Sequence, residues 1–212
     1  MFDSIRPQES LRIERDSLEV EYWPKFLSHS EATEVLRTLL AETPWEQPSI
    51  AIYGKRLKVP RLTCWYGDPH SVYTYSGIRN EPRQWNRQLL KIKEKIEATV
   101  PAQFNSVLLN LYRDGRDSMS WHSDDEPELG PEPIIASLSL GVSRRFDFRQ
   151  TRATPNASRK TYSLELGTGS LLVMRGKTQQ SWEHGIAKSA KIEGPRVNLT
   201  FRRVALVSPG TL

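Results

Sequence analysis

The chain carries one cysteine, Cys64, in 212 residues. A lone thiol closes no internal disulfide, so packing must hold the fold, and a reducing compartment is the expected setting. Histidine is almost as scarce: His29, His70, His122 and His184 are all there are, and a histidine-built metal site has few ways to assemble. No apolar run approaches the roughly 20 residues of a membrane-spanning helix. The N-terminal MFDSIRPQESLRIERD is broken by charge and holds no signal-peptide core. No internal repeat is visible. What is present suits one globular domain: 37% of residues are hydrophobic and 26% charged, and the length is ample for a core. A net charge of +5 and a pI near 9.4 are compatible with a phosphate-rich partner without requiring one.

Residues 1–20 read as a loosely attached extension and residues 21–212 as a single domain. A first helix is predicted over residues 30–41, where Ser28 and Glu31 have capping-box spacing and Val35, Leu36, Leu39 and Leu40 make one stripe. Thr43-Pro44 ends it. Residues 49–75 are β-rich, with Gly54 as a turn. A second helix is predicted over residues 83–99, with Trp85, Leu89, Ile92 and Ile96 at helical spacing and Val100-Pro101 closing it. Short strands then follow at residues 107–112, 134–140, 144–149, 162–166, 170–174 and 196–203. Turn chemistry at Asp114-Gly115, Gly141 and Gly167-Thr168-Gly169 separates several of them. Such a series suggests a sandwich, barrel or jelly roll braced by the two helices. The polar stretch 150–160 reads as a loop.

His122-Ser123-Asp124 places an imidazole and a carboxylate on alternate residues of an extended segment, so that both can face one ion. His184, in SWEHGI, is the best-placed third ligand, and the three would leave one side of the ion open. Alone, this spacing also fits a surface histidine beside an ordinary turn acid. His29 and His70 have no such company and read as structural or solvent-facing.

The segment PRVNLTFRR adds a second signal. Arg196, Asn198, Thr200 and Arg202 alternate with Val197, Leu199 and Phe201, giving one polar and one apolar strand face. Two arginines turned toward the interior of a β fold would be costly without an anion, and a dicarboxylate supplies one that guanidinium groups grip well. Asn110 and Tyr112 alternate likewise on NSVLLNLY. The alternative is an exposed strand with a solvated arginine face, which is the reading for Arg203.

Taken in order, NLYRDG, HSDDE, WEH and RVNLTFR resemble the AlkB family of Fe(II)- and 2-oxoglutarate-dependent nucleic-acid dealkylating dioxygenases. The resemblance spans about residues 50–203, and the combination is far more specific than any single piece. WHSDDEPELG and PIIASLSLG look closest to members that favour single-stranded DNA and RNA, whereas IYGKRLKVPR resembles the finger of members that work on duplex DNA.

The resemblance implies an α+β, mainly β, fold. Its core would be a double-stranded β-helix (jelly roll) at about residues 104–206, buttressed by two helices, with an N-terminal nucleotide-recognition lid at about residues 49–80. It implies Fe(II) held by His122, Asp124 and His184, with 2-oxoglutarate and O2 as cosubstrates. Arg196 would pair with the distal carboxylate of 2-oxoglutarate, helped by Tyr112 and Asn198. Arg202 and Asn110 would lie near the carboxylate beside the keto group. Both histidines would bind as neutral imidazoles, so metal affinity is expected to fall in acid. The implied reaction is oxidative demethylation of N1-methyladenine and N3-methylcytosine in DNA, with RNA as a second substrate, releasing formaldehyde, succinate and CO2.

For the base, the resemblance implies stacking between Tyr75 and the ring of His122, with Glu126 reading the exocyclic amine and Tyr73 as a second contact. Cross-strand aromatic packing is the plain alternative for the two tyrosines. Tyr53 at the finger tip would probe the base stack, or merely cap a sheet edge. Lys55, Arg56, Lys58 and Arg61 would meet phosphates, or form a solvated basic edge. Asp125 is expected to hydrogen-bond a loop beside the substrate, and Trp121 and Trp182 to wall the ligand histidines. The expected setting is cytoplasmic, nucleoid-associated in a bacterium or nuclear in a eukaryote, with no membrane partner and a monomer as the default.

Overall fold

A computed structural model describes residues 9–52, 55–69, 71, 73–75, 78–151 and 158–205. The chain opens with a hairpin of β1 (Leu11–Arg15) and β2 (Leu18–Trp23), then helix α1 (His29–Glu42). Two hairpins follow, β3 (Ser49–Ile52) with β4 (Lys55–Lys58) and β6 (Tyr73–Tyr75) with β7 (Ile78–Asn80), on either side of β5 (Leu62–Gly67). After helix α2 (Arg87–Thr99) come β8 (Ser106–Tyr112), β9 (Met119–His122), β10 (Ile135–Gly141) and β11 (Arg144–Gln150). The chain continues through β12 (Thr161–Leu166), β13 (Ser170–Arg175), the single turn α3 (Thr178–Ser181), β14 (Trp182–Ile186) and β15 (Arg196–Arg202).

These strands form a major sheet in the order β1-β2-β13-β10-β15-β8-β5 and a minor sheet in the order β12-β11-β14-β9. Every pairing is antiparallel. Period-2 alternation sends side chains to two cores. On β13, Leu171 and Val173 join the core beneath the helices, whereas Leu172 and Met174 join the core between the sheets. On β10, Ala136, Leu138 and Leu140 face the helices, leaving Ser137 and Ser139 for the inner side. Of the expected stripes, Val35 and Leu39 on α1 and Leu89, Ile92 and Ile96 on α2 are buried; Ala32 joins the first, while Leu36 and Leu40 are half-buried against the same core. The jelly-roll reading with two buttressing helices therefore holds.

The capping box is present as predicted. Glu31 N donates to Ser28 Oγ at 3.2 Å, and Ser28 N donates to Glu31 Oε2 at 2.9 Å, satisfying two helix-end donors reciprocally. The second helix starts later than its periodicity suggests, because Asn86 caps it by accepting from Leu89 N at 2.8 Å. Trp85 lies before the helix and stacks on Phe201 at 6.4 Å.

Two boundaries need correction. Residues 11–23 are not a loose extension. Asp16 and Ser17, at φ 51° and 64°, form a two-residue reversal whose twist suits a hairpin. This reversal lets Ile13, Leu18 and Val20 bury, and β2 then pairs with β13 inside the major sheet. A domain boundary at residue 20 would cut through that strand. Likewise, residues 49–80 are not all lid: β5 pairs with β8 as an edge of the major sheet, and only the two short hairpins stand apart from it. The connection between β11 and β12 falls where the loop was predicted, and residues 152–157 of it lie outside the described residues.

Candidate metal and cosubstrate site

The sheets face each other across a narrow cavity. His122 ends β9 and sits opposite His184 of β14 in the ladder, with ring centroids 4.2 Å apart. Both strands were missed in the sequence, being short and interrupted by polar residues, but they explain how two distant histidines meet. Asp124, two residues past His122, turns in beside them. One ligand atom from each of the three lies within 4.8 Å of the others, and His184 Nε2 is 4.0 Å from Asp124 Oδ2.

Neighbouring groups fix this trio. His122 Nδ1 lies 3.0 Å from the Ser120 carbonyl; donating there leaves the other ring nitrogen with a lone pair. Arg202 donates from Nη2 to Asp124 Oδ1 at 2.7 Å, and Asp124 N donates to Gln179 Oε1 at 2.9 Å. Burial pushes both imidazoles down, His184 to about 3, so they are neutral near pH 7. Burial, the largest single influence, would raise the Asp124 carboxyl, but the Arg202 guanidinium and the two neighbouring histidines together outweigh it and the carboxyl lies at about 2. Two neutral imidazoles and one ionised carboxylate, with His184 Nδ1 buried and unpartnered among the described residues, fit an Fe(II) ion that keeps open positions.

At the other end of the cavity Arg196 is 1% exposed. It donates from Nη2 to Ser139 Oγ at 2.9 Å, while its Nε and Nη1 have no partner among the described residues. Burial lowers it to about 10, still charged near neutrality. A buried cation with two idle donors fits a carboxylate. The Tyr112 ring lies beside it, 5.2 Å from the guanidinium carbon. Asn198 is already engaged, donating to Ser137 Oγ and accepting from Thr200 Oγ1, both at 2.8 Å.

All eight residues expected to hold metal and cosubstrate line this one cavity: Asn110, Tyr112, His122, Asp124, His184, Arg196, Asn198 and Arg202. Met119, Ser137, Phe146, Met174, Ile186 and Thr200 line it too. Ser137 and Ser139 were legible in PIIASLSLG as polar residues alternating with a buried apolar set. Gln179 had no sequence signal, because its contact with Asp124 spans 55 residues.

The substrate-side residues are less gathered. Arg61 is not part of an exposed phosphate-binding edge: it is 4% exposed and donates from Nε to Asn110 Oδ1 at 2.8 Å. Pro60 and the start of β5 turn it inward. Arg56 and Lys58 are exposed as expected, Asp125 is exposed, and Glu126 is half-buried at the start of a 3-10 turn. Trp182 is buried as a wall. Trp121 is not: 39% exposed, it lies under the Arg149 guanidinium at 4.3 Å. Tyr73 and Tyr75 lie on β6, which pairs with β7, whereas Tyr53, Gly54 and His70 fall outside the described residues.

Residues 19–202 match the 2OG-Fe(II) oxygenase superfamily. The chain is 43% identical over 187 residues to alpha-ketoglutarate-dependent dioxygenase alkB homolog 3 of Homo sapiens, a match that covers 86% of this chain and 65% of that protein. It is 36% identical over 200 residues to DNA oxidative demethylase ALKBH2 of Homo sapiens, covering 92% of this chain and 76% of that one. The chain thus spans a little under two thirds of alkB homolog 3. A solved structure of OsALKBH1 shares the fold at a TM-score of 0.61 and 22% identity, over 87% of this chain and 97% of that chain. The donor set, the buried arginine and these similarities agree: the chain belongs to the AlkB family of 2OG-Fe(II) oxygenases.

Proposed function

We propose that this protein oxidatively removes methyl groups from N1-methyladenine and N3-methylcytosine in DNA, with RNA as a second substrate. Formaldehyde, succinate and CO2 would be the products. The observation that carries the reading is one cavity holding an imidazole–carboxylate–imidazole donor set at one end and a buried, half-satisfied arginine at the other. Fe(II), 2-oxoglutarate and O2 are the cofactor set of the family. When bound, they supply the oxidising power that hydroxylates an N-methyl carbon.

The chain's own residues have three tasks. His122, Asp124 and His184 would hold the metal. Arg196, beside Tyr112, fixes the distal carboxylate, while Arg202 keeps Asp124 ionised and oriented. The third task is to bring in a base. Tyr75 and the ring of His122 would stack on an extruded base, Tyr73 would add a contact, and Glu126 would accept from the exocyclic amine. A methylated Watson–Crick edge already weakens pairing, which lowers the cost of extrusion. Nucleic acid as partner is supported by the names of the relatives and by the basic β3–β4 hairpin carrying Arg56 and Lys58. Asp125, exposed beside Glu126, would face the same partner. A monomer is proposed, working in the cytoplasm, nucleoid-associated in a bacterium or nuclear in a eukaryote.

The test is formaldehyde release from matched oligonucleotides carrying N1-methyladenine or N3-methylcytosine in single-stranded DNA, duplex DNA and RNA, beside a methylated peptide. Activity on the oligonucleotides is expected. Tyr53→Ala should lower turnover of duplex more than of single strands. Turnover of the peptide alone would overturn the reading.

A further inference from the structure

Arg144 opens β11 and is 2% exposed, yet nothing in the metal or cosubstrate assignment uses it. It donates from Nη1 to the Asp114 carbonyl at 3.2 Å, and from Nη2 to the carbonyls of Asp117 at 3.0 Å and Ala187 at 2.8 Å. Those carbonyls belong to two separate segments, the turn after β8 and the chain leaving β14. The same two segments are stitched by backbone: Gly115 N donates to Ile192 O at 3.0 Å, and Ser189 N to Gly115 O at 2.8 Å. A Cβ at Gly115 would lie 1.8 Å from the Ser189 carbonyl oxygen, so the approach depends on glycine.

Arg144 also lies 5.7 Å from the centre of the Tyr112 ring, which Arg196 approaches at 5.2 Å. Two buried guanidinium groups thus attend one phenol ring. All three acceptors of Arg144 are neutral carbonyls, and the nearby carboxylates are engaged elsewhere: Asp117 with Arg113 at 2.8 Å and Asp114 with Arg116 at 2.6 Å. Tyr112 and Arg196 line the cavity and Arg144 stands behind the ring, so two cations flank this end of it, neither paired with a carboxylate among the described residues. An interior built this way is stabilised by an anion arriving beside it.

We propose that Arg144 is a positioning residue for the distal carboxylate of 2-oxoglutarate. It sets the Tyr112 ring between two guanidinium groups and clamps the turn after β8 to the exit of β14, while its charge adds to that of Arg196. The proposal rests on the reading of Arg196 as the carboxylate's partner, and its reach ends at the cosubstrate: the nucleic acid should not feel it. Lysine would keep the charge but not the fork that spans two segments.

The test is calorimetric titration of 2-oxoglutarate into the full-length protein loaded with Mn(II) under argon, together with steady-state KM for 2-oxoglutarate and for a methylated oligonucleotide. Arg144→Met should weaken 2-oxoglutarate binding and raise its KM about tenfold, with kcat and the oligonucleotide KM near wild type. Arg144→Lys should fall between. In a Tyr112→Leu background the effect of Arg144→Met should shrink, because part of it passes through the ring. Wild-type 2-oxoglutarate affinity in Arg144→Met, or an equal loss of kcat and of both affinities, overturns the proposal. If Arg144→Met does not fold, Arg144→Lys decides: unchanged 2-oxoglutarate affinity there refutes it. Arg196→Met separates the premise, since full 2-oxoglutarate affinity in that variant would sink the reading of Arg196 itself.

Discussion

The two sheets divide the work unequally. The central strands of the major sheet are buried on both faces: β15 has no exposed residue, and β10 and β13 are buried along nearly their whole length. One face meets the helices and the other meets the cavity. The minor sheet is buried on one face only, so β11 and β12 alternate inward and outward residues. The major sheet holds the arginines and asparagines that line the cavity, and the minor sheet holds the two histidines, with its own buried arginine, Arg144, set outside the lining. A cation confined in the interior needs rigid surroundings on every side to keep its geometry. A neutral imidazole costs less to bury, so a thinner, half-solvated layer can carry it.

Breaking the link between the sheets should have the largest effect. Asp124 touches both, lying beside the minor sheet's histidines and accepting from Arg202 of β15. Asp124→Ala should abolish turnover and Mn(II) binding. It should also lower stability by about 3–5 kcal/mol, because one half of a buried ion pair is removed. Denaturant unfolding and metal titration check both; a variant that binds Mn(II) normally would remove Asp124 from the site.

Acid comes next, and it should strike the minor sheet first. His184 lies at about 3 in the folded chain against an ordinary 6.5. Between those values the unfolded chain binds the proton and the folded chain does not, so stability present above pH 6.5 is lost as pH falls toward 3. Asp124, at about 2 against 3.8, adds a loss in the same direction below pH 3.8. Proton competition at His184 is displaced to the same low range, and metal affinity of the folded protein should stay nearly flat from pH 7 to about 5. The fall in affinity expected in acid is thereby moved to lower pH, since burial pushes His122 down as well. Denaturation midpoints and metal titrations across that range separate the two effects.

The smallest contrast is in packing. Leu199→Ala in β15 removes a side chain buried among strands and helices and should cost about 2–5 kcal/mol. Leu164→Ala in half-buried β12 should cost about 1 kcal/mol or less. Equal losses by urea unfolding would mean that the sheets are equally load-sharing.

The major sheet was also the more legible one. A strand between two cores shows strong alternation, and RVNLTFR displays it over seven residues, enough to foresee both faces; PIIASLSLG carries the same pattern, which the sequence reading did not use. MSWH and WEHGI are short, mix polar with aromatic residues, and owe their strand geometry to each other across some sixty residues, so only the histidines stood out. The N-terminal hairpin was misread because its reversal uses Asp16 and Ser17 at positive φ, where sequence rules look first for glycine or asparagine. Arg61 was misread because a basic neighbourhood hides one inward-turned member. Arg144 gave no signal at all, since its partners are backbone carbonyls and any residue can offer those.

The central place of β15 also bears on how the protein is made. This strand inserts between β10 and β8, and it brings Arg196 and Arg202 with it. Until a growing chain has released residue 202 from the ribosome, the major sheet has a gap at its middle and Asp124 has no guanidinium to meet. Non-local pairings of this kind form late. Nascent chains should therefore carry the histidines in an unfinished barrel, and binding competence should arrive in one step with the final strand rather than grow with length.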